Sequence, residues 1–331
     1  MIRSASALAG AVLGASVAQA TISVPTVPVG FVGNAPDPAT GYGSVGYEYR
    51  IGTTEVTNAQ YAAFLNAVAA TDTHALYNAG MAGTTGGIVR DGVDGGYTYS
   101  TTTGREAHPV NYVSFWDACR FSNWLHNGQP TGAQDNSTTE DGAYTLTPGT
   151  IADNSVTRNV GARWGVPSEN EWYKAAYYQP ASNGGDADDY WLFGTSGNTI
   201  TLAQANYNAA LADTTPAGTY APNFSGAFDM AGNLWEWNNS VPQQGRRGLR
   251  GGSFLNNNNI LRSDFVYDFD FFSYDHNEVI GFRVAEIPTP SSIALLAIGG
   301  AISSRRRRLA RLPEWINSGT DDHGSPVTGA T

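Results

Sequence analysis

The chain has 331 residues, with 18 Lys or Arg against 29 Asp or Glu, so its formal net charge is −11 at pH 7. This charge argues against nucleic acid as a partner, because phosphate binding requires clustered cations. A single cysteine, Cys119, excludes an internal disulfide framework. The 39 glycines and a charged fraction of 14% predict a loop-rich architecture rather than a helical bundle.

Residues 1–20 have the pattern of an export signal. Arg3 provides a basic start, an apolar run extends from Ala5 to Val17, and Ala18-Gln19-Ala20 has the A-x-A form of a cleavage site. We therefore expect the mature chain to begin at Thr21 and to leave the cytoplasm through the Sec route. The alternative is a buried helix at the N-terminus.

The next segments predict a lead-in, a strand and a helix. Residues 21–46 are rich in Pro and Gly, which is typical of an extended lead-in, and Tyr47–Gly52 alternates like a short strand. Thr57 and Gln60 form a capping box, which predicts the start of a helix. The apolar residues that follow recur at helical spacing and predict its inner face: Tyr61, Phe64, Leu65 and Val68.

Two further helices and a strand pair are predicted farther along. A strand pair is expected around Gly96–Tyr99. Ser114 is a helix N-cap with Asp117 three residues later, and Asn127-Gly128 ends that helix. Ser168 and Glu171 make another capping box, after a polar stretch from Gln129 to Arg158 that shows no sustained period.

The most distinctive stretch is Phe228-Asp229-Met230-Ala231-Gly232-Asn233-Leu234-Trp235-Glu236-Trp237, followed by Arg250-Gly251-Gly252-Ser253. With the blocks Glu55–Tyr61, Pro109–Ser114 and Val166–Trp172, it resembles the formylglycine-generating enzyme, or sulfatase-modifying factor, family. The resemblance covers residues 47–286. It implies an irregular, loop-rich α+β domain related to the C-type lectin fold.

The resemblance also identifies the positions of the family's reactive cysteines. Members that make formylglycine hold copper with two cysteine thiolates, since soft sulfur ligands select Cu(I). The aligned positions here carry Asn256 and Leu261, which argues against copper and leaves no catalytic residue to assign. The alternative is an oxidoreductase of the formylglycine-generating or non-heme iron type that uses another metal set, with Asn256, His276 and Asp264 as candidate ligands.

Calcium is the cofactor that the resemblance implies. The family site corresponds to Asp229, Gly232, Leu234 and Glu236, which would supply two carboxylates and two backbone carbonyl oxygens. With water, these donors suit the roughly six to eight oxygen ligands that calcium takes.

A second family calcium site would use Asn206, with Asp213 as a further candidate. The chain between Tyr207 and Thr215 is shorter than the family pattern at this point. For the first site, the alternative interpretation is that Glu236 forms an ion pair with Arg250 or Arg262.

Between Asp264 and Asp275, acidic residues alternate with aromatic residues. Aromatic faces beside amides and carboxylates suit a sugar ring or an extended peptide. Asn256, Phe271 and Tyr274 are therefore candidate ligand-binding residues. The alternative is an ordinary half-buried strand.

The C-terminal part resembles the PEP-CTERM sorting signal. Ile287-Pro288-Thr289-Pro290 precedes an apolar run, Ile293–Ile302, and the arginines Arg305–Arg308. We interpret residues 287–308 as the sorting segment and residues 309–331 as a disordered tail. The resemblance implies exosortase-type sorting machinery as a partner, with exopolysaccharide or surface proteins as further partners. The alternative is a short surface helix with a basic tail.

These features predict an exported protein of the cell envelope or outer surface, or a secreted one. Its family-like domain is expected to be a calcium-stabilised binding or structural module without the oxidase reaction.

Overall fold

Each α-helix begins at a side-chain cap. The computed structural model describes residues 21–265 and 271–288, and within them the α-helices are α1 (Asn58–Val68), α2 (Phe115–His126), α3 (Pro148–Ala152) and α4 (Glu169–Tyr177). In all of these the N-cap hydroxyl and the third helical residue bond reciprocally to backbone N–H groups. The helices predicted at Thr57, Ser114 and Ser168 are confirmed. The sequence did not predict α3, because five residues are too few to show a period.

The strands are short and join distant parts of the chain. They are β1 (Thr26–Val29), β2 (Tyr49–Gly52), β3 (Ile88–Asp91), β4 (Thr98–Thr101), β5 (Trp164–Gly165), β6 (Trp235–Asn238), β7 (Gly248–Arg250), β8 (Ile280–Gly281) and β9 (Ala285–Glu286). The first sheet has the order β1-β2-β9-β5. The pair β3-β4 confirms the predicted strand pair, and the third sheet has the order β7-β6-β8.

The third sheet carries the distinctive stretch. Within it, β6 is antiparallel to β7 and parallel to β8, so Glu236 lies opposite both Arg250 and Gly281. Residues 282–284 connect β8 to β9, which belongs to the first sheet. The two sheets are therefore linked by one short segment.

An aromatic cluster joins α1 and α2 to that segment. Phe121 lies 5.4 Å from Phe64 and 5.4 Å from Phe282, measured between ring centroids, and it also contacts Tyr61 and Trp124. All five side chains are buried. Such edge-to-face pairs add to the free energy gained by burying the rings. The inner face predicted for α1 is confirmed, since its four predicted residues are buried.

The predicted terminal segments lie outside this description. The predicted export signal at residues 1–20 falls outside the described residues, as do residues 289–308 of the predicted sorting segment and the predicted tail at residues 309–331. Within residues 21–265 and 271–288, no helix combines the length and apolar character that a bilayer crossing requires.

Replacing Phe121 with Ala is expected to lower the free energy of unfolding by about 3–5 kcal/mol, because the change leaves a cavity among packed rings. Phe224→Ala is the matched control, since Phe224 is 38% exposed, and its effect should stay within about 1 kcal/mol. Urea unfolding of both variants measures the difference. Equal losses would contradict the assignment of the structural core to this cluster.

Candidate functional site

The turn that precedes β6 packs closely against the backbone at Asn206. Asp229, Gly232 and Asn233 have positive φ angles of 55°, 79° and 62°. A Cβ atom at Gly232 would lie 2.2 Å from the carbonyl oxygen of Asn206, so a side chain cannot be accommodated there. The backbone N–H of Asn233 donates to that same oxygen over 2.8 Å. Glycine is thus required by the close approach of the two segments.

Asn233 connects three parts of the chain. Its Nδ2 donates to Oε1 of Glu55 over 3.0 Å, and its Oδ1 accepts from the backbone N–H of Thr215 over 2.9 Å. Nδ2 of Asn206 also lies 3.3 Å from this Oδ1. Sequence reasoning missed the roles of Asn233 and Glu55. Their positions within two of the family-like blocks were the signal that could have indicated them.

Glu236 forms a buried, bidentate ion pair with Arg283. Nε and Nη2 of Arg283 lie 2.5 Å from Oε2 and Oε1 of Glu236, and Nε1 of Trp172 donates to Oε2 over 2.7 Å. Arg283 also donates to the carbonyl oxygens of Gly52 and Phe228. All three nitrogen atoms of this guanidinium therefore donate hydrogen bonds.

The predicted alternative partners of Glu236 were wrong. Arg250 pairs with Glu169 at the start of α4, with 2.6 Å between Nε and Oε1. Arg262 pairs with Asp264, its near neighbour, at 2.6 Å. Glu236 pairs with Arg283 instead. Arg283 follows β8, which is parallel to β6, so its guanidinium lies in the interior beside β6.

Three buried carboxylates surround Arg283 and give this region an excess of negative charge. Glu55 and Glu236 are almost fully buried, and Asp229 is 8% exposed. Burial, with repulsion from Asp229 and Glu236, holds the pKa of Glu55 well above its usual range. Burial also raises the pKa of Asp229 to about 6. If all three carboxylates were ionised, the group including Arg283 would carry a charge of −2. We call these four residues the acidic cluster.

Two buried acceptor atoms at this site have no hydrogen-bond partner among the described residues. They are Oε2 of Glu55 and Oδ1 of Asn206. Both side chains bond to Asn233 through their other polar atom. An unsatisfied buried polar group costs about 1–3 kcal/mol, and a bound cation would relieve that cost.

The acidic cluster presents oxygen atoms, which are the ligands that calcium takes. Glu236 accepts three hydrogen bonds, whereas a carboxylate offers about four acceptor positions, so one remains on Oε1. Oδ2 of Asp229 accepts from Gly218 N–H over 2.6 Å. Within residues 21–265 and 271–288, no three His, Cys, Asp or Glu side chains form a metal-binding group. The carbonyl oxygens of Gly232 and Leu234 would therefore have to contribute, and an all-oxygen shell of this kind suits a hard cation.

Asn256 and Leu261, the positions that the resemblance assigns to the family's cysteines, both lie close to Gly252. A Cβ atom at Gly252 would lie 2.7 Å from Cδ1 of Leu261 and 3.8 Å from Oδ1 of Asn256. Oδ1 of Asn256 accepts from both the N–H and the hydroxyl of Ser253, each over 2.8 Å. Leu261 is fully buried in a small apolar cluster. Asn256 therefore caps a turn, and Leu261 packs within the apolar cluster.

The residues suggested for a different metal set have separate partners. Nε2 of His276 lies 3.0 Å from Oδ2 of Asp117 at the start of α2, and this contact raises the pKa of His276 despite its partial burial. Asp264 pairs with Arg262, and Asn256 caps its own turn. The sulfur of Cys119 is buried in α2, and burial raises the pKa of its thiol.

The aromatic candidates have different environments. Tyr274 is 60% exposed and stacks on Phe272, whereas Phe271 is half-buried and packs against the main core. Residues 271–277 form turns and irregular backbone, so the half-buried strand is wrong for that part. Residues 266–270 of the alternating stretch lie outside the described residues.

Comparison with known proteins identifies the family. The profile of the sulfatase-modifying factor enzyme 1-like domain matches residues 20–287. The chain belongs to this family. Its irregular α+β structure has few helices and loop-rich sheets, as the sequence predicts.

Two solved structures, those of CarF and of Treponema denticola variable protein 1, show the same fold. CarF is 21% identical, with a TM-score of 0.50 over 80% of this chain and 99% of that chain. Treponema denticola variable protein 1 is 19% identical, with a TM-score of 0.51 over 82% and 100%. PvdO from Pseudomonas aeruginosa is 19% identical, with a TM-score of 0.44 over 80% and 90%. No curated protein matches the chain in sequence.

Changing Arg283 to Met should lower the free energy of unfolding by about 3–5 kcal/mol, because it leaves the buried carboxylate of Glu236 without its counter-ion. Arg163→Met is the control: Arg163 pairs with Glu286, but its side chain is 60% exposed, and such pairs contribute about 0–1 kcal/mol. Chemical denaturation measures both. Similar losses in the two variants would refute the importance of the buried pair.

Proposed function

We propose that this protein is an exported, envelope-associated member of the sulfatase-modifying factor family that works as a calcium-stabilised binding or structural module. It has no formylglycine-generating activity. The observation that carries this proposal is the environment of Gly252, where Asn256 and Leu261 stand at the family's cysteine positions.

The contacts of those two residues support the loss of the oxidase reaction. An amide that caps a turn and a buried isobutyl group offer no thiolate to Cu(I), which prefers soft ligands. Cys119, the single cysteine of the chain, lies in α2 with its side chain buried. No sulfur pair is therefore at hand to bind copper.

The acidic cluster supports a role for calcium. Its charge of −2 with all three carboxylates ionised would be balanced by one divalent cation. One unpartnered oxygen lies on Glu55, a member of the cluster, and the other on Asn206, which is linked to Glu55 through Asn233. Calcium bound there would join the turn before β6 to the segments at Glu55 and Asn206. Its contribution is therefore to stability rather than to chemistry.

The sequence at both ends supports the proposed location. Residues 1–20 have the features of a Sec export signal, and residues 287–308 resemble a sorting signal read by exosortase-type machinery. In that location, exopolysaccharide or surface proteins are the proposed partners. The single cysteine is consistent with a protein whose stability rests on core burial rather than on disulfides.

The oxidase reaction is tested by incubating the purified protein with Cu(I), oxygen and a cysteine-containing sulfatase-type peptide. We expect no aldehyde, which mass spectrometry of the peptide would detect, because the thiolate pair is missing. Formation of formylglycine would disprove the proposal. Metal analysis of protein purified without chelators is a second readout, since stoichiometric iron or copper would favour the alternative oxidoreductase.

Calcium should stabilise the protein more at pH 7.5 than at pH 5.0. Without calcium, the raised pKa of Asp229, about 6, means that the folded state binds this proton more tightly than the unfolded chain. The resulting stability is complete below the usual Asp pKa and is lost as the pH rises through about 6. Calcium binds the ionised carboxylates, so the rise in Tm that calcium causes should be largest above the pKa of Asp229.

Differential scanning fluorimetry after removal of divalent cations measures this effect. Asp229→Asn should reduce the calcium-dependent rise in Tm at pH 7.5, whereas Asp94→Asn, at an exposed turn, should leave it unchanged. A Tm that does not respond to calcium at either pH would eliminate the calcium part of the proposal.

A further inference from the structure

An exposed pair of parallel aromatic rings lies beside an arginine. The rings of Phe272 and Tyr274 have centroids 5.3 Å apart and planes that differ by 4°. They are 37% and 60% exposed. Cζ of Arg246 lies 4.9 Å from the centroid of Phe272. We call these three residues the aromatic platform.

The backbone beneath the aromatic platform is held by hydrogen bonds. Ser273, between the two rings, is buried; its N–H donates to the carbonyl of Gly245 over 3.1 Å, and its own carbonyl accepts from Phe115 at the start of α2 over 3.0 Å. The N–H of Phe272 donates to Oδ2 of Asp275 over 2.7 Å. A surface fixed in this way loses little conformational entropy when it binds a ligand.

Arg246 has a donor without an acceptor. Its Nη1 is buried and has no hydrogen-bond partner among the described residues. Arg246 takes part in none of the ion pairs formed within residues 21–265 and 271–288. An arginine that packs on the face of Phe272 and forms no ion pair with the described residues is suited to a ligand that has both an apolar face and a carboxylate.

We propose that the aromatic platform binds a glycan whose sugars carry carboxylates, that is, a uronic-acid oligosaccharide. The apolar C–H face of a sugar ring stacks on Tyr274, and the carboxylate accepts a charge-assisted hydrogen bond from Arg246. This inference rests on the proposed function as a binding module and names its ligand class. It also gives Tyr274, a ligand-binding candidate from the sequence, a chemical role.

The surroundings favour a glycan over an acidic peptide or a nucleic acid. Peptide recognition commonly uses an open strand edge or an apolar helix-binding groove, whereas residues 271–277 form turns and irregular backbone. Single-stranded nucleic acid also stacks on aromatic side chains, but it needs a groove lined by cations. The aromatic platform contains one cation, Arg246, rather than such a groove.

Isothermal titration with tetrasaccharides of galacturonate, glucuronate and mannuronate, at constant calcium, tests the proposal. Each tetrasaccharide is compared with its methyl ester, which keeps the sugar and removes the charge. We expect at least one acid to bind, and its ester to bind on the order of tenfold more weakly, since a charge-assisted bond is lost. Polyglutamate serves as the acidic-peptide probe.

Variants of Tyr274 and Arg246 measure separately what ring stacking and charge contribute to glycan binding. Tyr274→Ala should weaken binding of the acid on the order of tenfold, while Tyr274→Phe should retain it. Arg246→Gln should abolish the preference for the acid over the ester. Phe224→Ala and Arg163→Gln, an exposed aromatic and an exposed arginine elsewhere, should change nothing.

No binding of any uronate, equal binding of acid and ester, or full binding by Tyr274→Ala would overturn the proposal. Tighter binding of polyglutamate than of every uronate would overturn it in favour of a peptide ligand. The rise in Tm with calcium is measured in the same samples. If that rise persists without uronate binding, the glycan inference fails alone and the calcium-stabilised module stands.

Discussion

The buried ion pair between Glu236 and Arg283 is the interaction on which the rest of the site depends. Glu236 lies in β6, and Arg283 lies in the link between β8 and β9, so the buried pair joins these two segments. Trp172 of α4 also donates to Glu236. Arg283 also donates to the carbonyl of Gly52 at the end of β2 and to that of Phe228 at the start of the turn before β6. Burial makes the pair costly to break, because either partner alone would be an uncompensated charge.

The same ion pair leaves a charge imbalance beside it. Arg283 can neutralise one carboxylate, yet burial and repulsion from Asp229 and Glu236 raise the pKa of Glu55, and burial and repulsion from Glu236 raise that of Asp229. A protein can relieve such an imbalance by binding protons or by binding a cation. The unpartnered oxygens on Glu55 and Asn206 are the observation that favours a cation in the proposed function.

Local features of the fold could be predicted from the sequence, and long-range pairings could not. The capping boxes at Thr57, Ser114 and Ser168 are contained within four residues, so they predict helix starts directly. The partner of Glu236 is 47 residues away, and nothing in the spacing of charges favours Arg283 over Arg250 or Arg262. Only the register of β6 with β8 determines that choice. For the same reason, no local pattern indicated that Asn233 reaches Glu55.

The fold of the family is present here with Asn256 and Leu261 near Gly252. The turn before β6 is held by buried charge and by the Gly232 contact with Asn206, and its backbone bonds to Gly251 and Phe254 beside Gly252. Leu261 packs in the same apolar cluster as Ala231 of that turn. The architecture, held by the ion pair of Glu236, therefore accommodates an amide and an apolar side chain at positions 256 and 261. The exposed aromatic platform is then free to carry a function of its own, because its backbone is fixed to α2 rather than to Gly252.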